Sequence, residues 1–374
     1  MTVLQTEGSS LEIQRLPPEA WQAQLRQAQQ PALGGWGYGM ADEAQGLVAL
    51  PPALLAGSAA RCDAWAVRPG ATSGATTSAV QTGQTGCIRW RHNGHWLQGA
   101  ADLPAGQADL QPLAHRIYRD LFAALAETGY AHLQRVWNYL PHINVHAQGL
   151  ERYRQFNMGR QQAFLDSGQD AFEGAPAACA LGVHSDELCL RFLAAKVAPR
   201  PIENPRQTPA YRYPSTYGPR APTFSRAALS DLGQGQLALW VSGTASIVGY
   251  SSLHEGDVVA QTRETIANLQ ALLGAAGAAC GGRFELADLV SCVYVRHPAD
   301  QPRVQAELDR AWGAQSAAAA QAVYVQADVC RAELLVEVEG HLLAPGQLAS
   351  GSGSAAATIG APPKLSVKVN STEM

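Results

Sequence analysis

The sequence predicts a mixed α/β (α+β) chain built from two β–α–β–α–β domains in tandem. Three observations carry this. Strand-like and helix-like runs alternate on both sides of a proline-rich stretch at 196–226, the signature of α/β or α+β architecture. The order of elements is the same on both sides, as an internal duplication produces. The last strands also align at a constant offset, DELCLRFL at 186–193 against AELLVEVE at 332–339.

In chain order, residues 1–40 are polar and rich in proline and glutamine, and read as an N-terminal leader draped on the first domain. The first domain spans 41–195. AVQTGQTGCIRW (79–90) is strand-like, and HRIYRDLFAALAETG (115–129) has helical apolar spacing. LQRVWNYLPHI follows as a strand, RYRQFNMGRQQAFLD as a helix, and CALGVHSDELCLRFLAAK closes the half. The connection 196–226 carries too much proline for regular structure, and its tyrosines and arginines suit a segment that lines a site. The second domain spans 227–345. It opens with a strand at 237–249, turns through His254-Glu255-Gly256-Asp257 and continues as a helix over 257–274. LVSCVYVRH (289–297) is the next strand, PRVQAELDRAW a short helix, and AVYVQADVCRAELLVEVEGHLL the close. Residues 346–374 begin QLASGSGSAAATIGAPP and read as a flexible tail.

Composition excludes several classes. The hydrophobic fraction is 47% and the charged fraction 16%, as in soluble globular proteins. The net charge of -4 offers no basic field for nucleic acid. No run of about 18 apolar residues is present, so no membrane partner is expected. The N-terminus lacks the basic-then-apolar order of a secretion signal, which makes a cytoplasmic location the expectation. Seven cysteines without a C-x-x-C pair argue against a disulfide framework and a structural zinc site. Six of them read as small buried side chains, with Cys330 the exception. No H-E-x-x-H, Walker, G-x-G-x-x-G or G-x-S-x-G pattern occurs, so neither a metal nor another cofactor is expected.

The candidates for chemistry are few. In LLVEVE, period-2 alternation puts Glu337 and Glu339 on one strand face and Val336 and Val338 on the other. Two carboxylates on a half-buried face push one pKa upward, as a general acid needs. The residues alone favour the other reading, the wet outer face of an edge strand, because alternating strands usually have one solvated face. In the duplication Glu337 stands opposite Arg191 of the first copy, so only the second copy has the acid. Arg220, Arg226, Arg296 and Arg310 would together serve as carboxylate clamps, while for any one alone the surface-charge reading wins. Tyr211, Tyr213 and Tyr217 are packing residues or hydroxyl donors. Trp137 and Tyr139 are core or pocket wall, with core the default. Gly243, in Ser242-Gly243-Thr244, marks a bulge, a ligand's approach to the backbone or a tight packing point.

Two resemblances enter on these residues. GDVVAQTRETIANLQALLGAAG and LLVEVEGHL resemble the helix and last strand of RidA-like (YjgF) proteins, over roughly 237–343. RidA-like deaminases hydrolyse 2-imino acids with an arginine ahead of that strand, and Val329-Cys330 stands there instead. RVWNYLPHIN (135–144), YGPRAPTFSRA (217–227), WVSGTASIVGYSS (240–252) and CRAELLVEVE (330–339) resemble the chorismatase family across nearly the whole chain. The resemblance implies two RidA/YjgF-like domains and removal of the enolpyruvyl group of chorismate as pyruvate. It implies Glu337 as the catalytic acid, acting on the enol-ether methylene or the departing enolpyruvate. Arg310, Arg226 and Tyr217 resemble the carboxylate-binding set, with Arg220, Tyr213 and Trp137 as further substrate-binding candidates. Cys330 and Gly243 resemble the pair of the 3-hydroxybenzoate-forming type, where diol-forming members tend to have other small residues. The competing expectations are 4-hydroxybenzoate as a co-product, a hydrolase giving a dihydroxycyclohexadienoate, an imine deaminase, and a non-catalytic binding protein. Either a monomer or a homotrimer fits.

Overall fold

The computed structural model describes residues 10–27, 32–68 and 79–348. The stretch 346–374 read as a tail therefore lies almost wholly outside the described residues. Ahead of the first repeat come β1 (Ser10–Leu16), α1 (Pro18–Gln27), β2 (Gly34–Tyr38), β3 (Leu47–Ala49), β4 (Ala53–Leu54) and β5 (Arg61–Arg68). Four of these strands form one sheet in the order β1-β5-β2-β3. This corrects the reading of residues 1–40 as a draped leader. SLEIQRL alternates, with Leu11 and Ile13 in the core. Its polar look misled because Arg15 is itself buried, paired with Asp63 at 2.7 Å and donating to Tyr38 Oη (3.2 Å) and the Gln321 carbonyl (3.0 Å).

The first repeat contains β6 (Gln81–Thr85), β7 (Ile88–His92), β8 (Trp96–Pro104), α2 (Leu110–Thr128) and β9 (His132–Pro141). A two-residue ladder, β10 (His146–Ala147) with β11 (Leu150–Glu151), precedes α3 (Arg152–Asp166), β12 (Ala177–Val183) and β13 (Glu187–Ala195). The second repeat contains β14 (Arg200–Ile202), β15 (Ala227–Gly233), β16 (Gln236–Ala245), the ladder β17 (Ile247–Val248) with β18 (Ser251–Ser252), and α4 (Val258–Cys280). It ends with β19 (Val290–Val295), α5 (Gln301–Trp312), α6 (Ala317–Gln321), β20 (Val323–Gln326) and β21 (Val336–Pro345).

The sheets are β12-β9-β13-β8-β7-β6 and β14-β15-β16-β21-β19-β20-β4. Apart from β4, each strand of one has its counterpart in the other. Both contain a parallel pair, β12 with β9 and β20 with β19, and both place the last strand antiparallel in the middle. The expected duplication is thus present in the topology. Helices α2 and α4 begin where the sequence offers caps. Asp109 accepts from the Gln111 amide, and Asp257 from the amides of Val259 and Ala260. Helix α4 runs past residue 274, because GAAGAAC continues helically until Gly281 takes the left-handed cap.

Each sheet buries one face under its own helices. Ile117, Leu121, Phe156 and Phe164 pack on Val136, Leu190 and Phe192. Leu269, Leu272, Val304 and Leu308 pack on Val293, Val336 and Val338. The other two faces share a core with the N-terminal sheet, where Trp36 meets Trp65 and Trp137 edge-on at 4.9 and 5.7 Å. Because β21 lies between β16 and β19, Glu337 and Glu339 sit on a central strand and not on a wet edge. No helix of the described residues is long and apolar enough to cross a membrane.

Candidate active site

A cavity opens between the two repeats. Its lining includes Glu337 of β21, Gly243 and Ala245 of β16, Cys179 of β12, and Tyr153, Arg154 and Arg160 of α3. The connection supplies Tyr213, Tyr217, Phe224 and Arg226, and the loop before β21 supplies Cys330 and Arg331. Both repeats are needed to close it.

Glu337 is 4% exposed. Burial, then the negative charge of Glu339, push its carboxyl up to about 8, against the pull of Arg135 and Arg226. The carboxyl therefore carries its proton at neutral pH. Gly243 explains how it fits. The register of β16 against β21 slips between Val241 and Thr244, and a Cβ on Gly243 would overlap the Glu337 carboxyl. Two of the three readings offered for this glycine, bulge and close packing, hold together. Ser242 beside it ties the repeats, accepting from the Ala178 amide (2.9 Å) and donating to the Ser225 carbonyl (2.6 Å).

Three guanidiniums face the cavity with donors to spare. Arg226 gives Nη2 to the Thr208 carbonyl (2.8 Å) and Tyr213 Oη (2.7 Å), and its buried Nε has no hydrogen-bond partner. Arg160, 2% exposed, stacks over Tyr118 at 5.1 Å and leaves Nε and Nη2 unpaired. Arg331 stacks over Tyr217 at 3.9 Å, gives Nη1 to the Tyr250 carbonyl (2.9 Å), and leaves Nη2 unpaired. Buried donors without partners are rare, and guanidiniums so placed suit carboxylate ligands. Cys330 packs with Ala245, Ile247, Val329 and Leu334, and burial pushes its thiol up to about 12, so it acts as a thiol and not a thiolate.

The structure brings together Glu337, Cys330, Arg226, Tyr217, Tyr213 and Gly243, and corrects three other candidates. Arg310 lies on the surface of α5, bound to Glu307 together with Arg263. Trp137 is in the inter-sheet core and gives Nε1 to Glu339 (3.1 Å). Arg220 is exposed and absent from the lining. Arg296 braces the site loop from behind, reaching the carbonyls of Leu334 (2.8 Å) and Arg331 (2.9 Å) and the Asp328 carboxylate (2.6 Å). Tyr153, Arg154, Arg160, Cys179 and Arg331 were missed from sequence. Arg331 stands one residue past the place where the RidA-like arginine is absent. Arg191, the first-copy counterpart of Glu337, pairs with Asp102 at 2.7 Å and makes no second acid centre.

A neutral carboxyl and unpaired guanidiniums in a cleft between duplicated sheets define the class: an enzyme site for a small anionic substrate. The sequence profile described as "Chorismatase FkbO/Hyg5-like, N-terminal" matches residues 74–194. The 3-hydroxybenzoate synthase of Streptomyces hygroscopicus is 35% identical over 279 residues, 72% of this chain and 80% of that protein. A chorismatase of Streptomyces rapamycinicus is 36% identical over 267 residues, 70% and 78% of the two chains. A chorismatase crystal structure superposes with a TM-score of 0.75 at 26% identity, covering 90% of this chain and 99% of that one. The chain belongs to the chorismatase family.

Proposed function

We propose that this chain converts chorismate to 3-hydroxybenzoate and pyruvate. The observation that carries the reading is the buried Glu337 carboxyl at a cavity whose arginines have donors unpaired. Chorismate brings two carboxylates and an enol ether, the groups these residues suit. The relatives named above support the same substrate and product.

Glu337 gives its proton to the enol-ether methylene carbon, forming the methyl group of pyruvate. The bond from ring C3 to the ether oxygen then breaks, and its electrons make the ketone. The ring 4-hydroxyl oxygen attacks C3 as pyruvate leaves, and its proton returns to the Glu337 carboxylate. The arene oxide opens at C4 and loses the C3 hydrogen as a proton, leaving 3-hydroxybenzoate. No water enters, and the atoms of chorismate equal those of the two products. The Cys330 thiol borders the cavity and favours this route over water attack.

Purified protein incubated with chorismate and no added cofactor is expected to release pyruvate with an equal amount of 3-hydroxybenzoate. Release of pyruvate with a dihydrodiol would replace the assignment with a hydrolase, and 4-hydroxybenzoate as a minor product would show alternative ring opening. No pyruvate would overturn the reading. Cys330→Ala is expected to raise the diol-to-hydroxybenzoate ratio by about 10-fold, about 1.4 kcal/mol in relative barrier. Product analysis by chromatography checks this, and an unchanged ratio removes Cys330 from the partition. The pH profile follows from Glu337, which is active when protonated and is pushed up to about 8. Turnover should hold through neutral pH and fall roughly tenfold per pH unit above that value, read as kcat against pH. Since both walls come from one chain, a monomer suffices for this chemistry, and a cytoplasmic enzyme remains our assignment.

A further inference from the structure

Glu339 follows Glu337 on the same inward face of β21 and is 2% exposed. Its carboxylate accepts from Tyr294 Oη (2.6 Å) and Trp137 Nε1 (3.1 Å), and is in close contact with Arg135 Nη2. Tyr294 stands opposite Glu337 in the β19–β21 ladder, yet its hydroxyl turns to Glu339, backed by Tyr139 Oη at 3.0 Å. Every one of these donors serves Glu339. The two neighbouring carboxyls therefore have opposite surroundings: one saturated by donors and a guanidinium, the other beside an unpaired cavity.

We propose that Glu339 is a positioning residue for the reaction: fixed by Arg135, Trp137 and Tyr294 two residues along the same inward strand face, it sets the charge beside which the Glu337 acid works before substrate arrives. This rests on Glu337 as the acid. The groups around Glu337 leave Glu339 as its opposing charge. Strand β9 presents Arg135 and the space before β15 presents Arg226, and both favour the Glu337 anion. Helix α3 presents Arg160 and Tyr153, and β12 presents Cys179; burial holds the phenol and the thiol neutral. From the loop before β21 come Cys330, also neutral, and Arg331. Glu151 at the rim is bound to Arg154 at 3.2 Å. The arginines alone would strip the proton from Glu337, while burial and Glu339 keep it there.

The test is kcat against pH for Glu339→Gln and for Glu339→Gln/Arg135→Met. The first removes the negative charge and leaves Arg135 uncompensated. Its basic limb is expected about one pH unit or more below that of the wild type, with turnover at low pH retained. The double variant removes both charges, and its limb should return most of the way. A uniform loss of turnover with the limb unmoved would overturn the proposal, since that is what a merely structural Glu339 would give. Should Glu339→Gln not fold, a second readout needs only Glu337→Gln. The infrared difference, wild type minus variant, should show a carboxylic acid band at pH 6 and 7. A carboxylate band there would overturn the proposal. Full turnover in Glu337→Gln would instead sink the acid assignment itself, so the two failures are distinguishable.

Discussion

Glu337→Gln is expected to lose turnover by about 10²–10⁴-fold, the span a positioned general acid contributes. The fold should survive, because glutamine fills the same volume and the carboxyl it replaces is already neutral. Stability offers a second, independent readout. In the unfolded chain the carboxyl has its ordinary value of 4.5, and in the fold it is pushed up to about 8. Between those values the native state binds the extra proton, so unfolding releases one and stability falls as pH rises. Glutamine does not titrate and escapes this penalty. The variant should therefore match the wild type near pH 4 and exceed it at pH 7, by up to about 3 kcal/mol. Thermal melts across pH check this, and normal turnover with normal melts would remove Glu337 from both roles.

The residues legible in the sequence were those whose pattern has one physical meaning. LLVEVE alternates, so Glu337 and Glu339 share a face whichever way the strand is oriented. The sequence did not show that β21 is central, because strand order is a non-local property; that order turned a candidate wet face into a buried one. The repeated β–α–β–α–β order was readable because α2 has clear apolar spacing and Asp109, Asp257 and Ser316 cap α2, α4 and α6. The N-terminal strand was misread because buried ion pairs such as Arg15 with Asp63 look like surface polarity.

The arginines divide along similar lines. Arg310 has Glu307 three residues earlier on the same helix, which already marks a local surface pair. Arg160 has no acid three or four residues away on α3, between Phe156 and Phe164, and that lack was the available signal for a buried, outward-reaching guanidinium. Helix α3 hides it because the helix buries polar residues as well as apolar ones: Arg152 is spent on the carbonyls of Pro141, Ala108 and Gly106. Trp137 reads as core from its residues and as a substrate-binding candidate only through the resemblance; the core reading holds, and its indole turns to Glu339.

Gly243→Ala is the variant that joins geometry to product choice. The new methyl would overlap the Glu337 carboxyl and lie 3.2 Å from the Cys179 Cβ. The carboxyl is the free end of a flexible side chain, so it moves and the strand stays. We expect the fold to be kept, turnover to fall about 10-fold or more, as ångström-scale misplacement of an acid produces, and the diol share to rise. If the methyl acted only by crowding the substrate ring, the same product change would arise without Glu337. A double-mutant cycle with Glu337→Asp separates the two. Aspartate is one methylene shorter and frees the space that the methyl takes. If the effect runs through Glu337, the methyl shifts the product ratio much less in the aspartate background than in the wild type. If it runs through the ring, the shift is the same in both. An unchanged ratio and rate in Gly243→Ala itself would mean that Glu337 has another working position, and the close fit at Gly243 would then be packing alone.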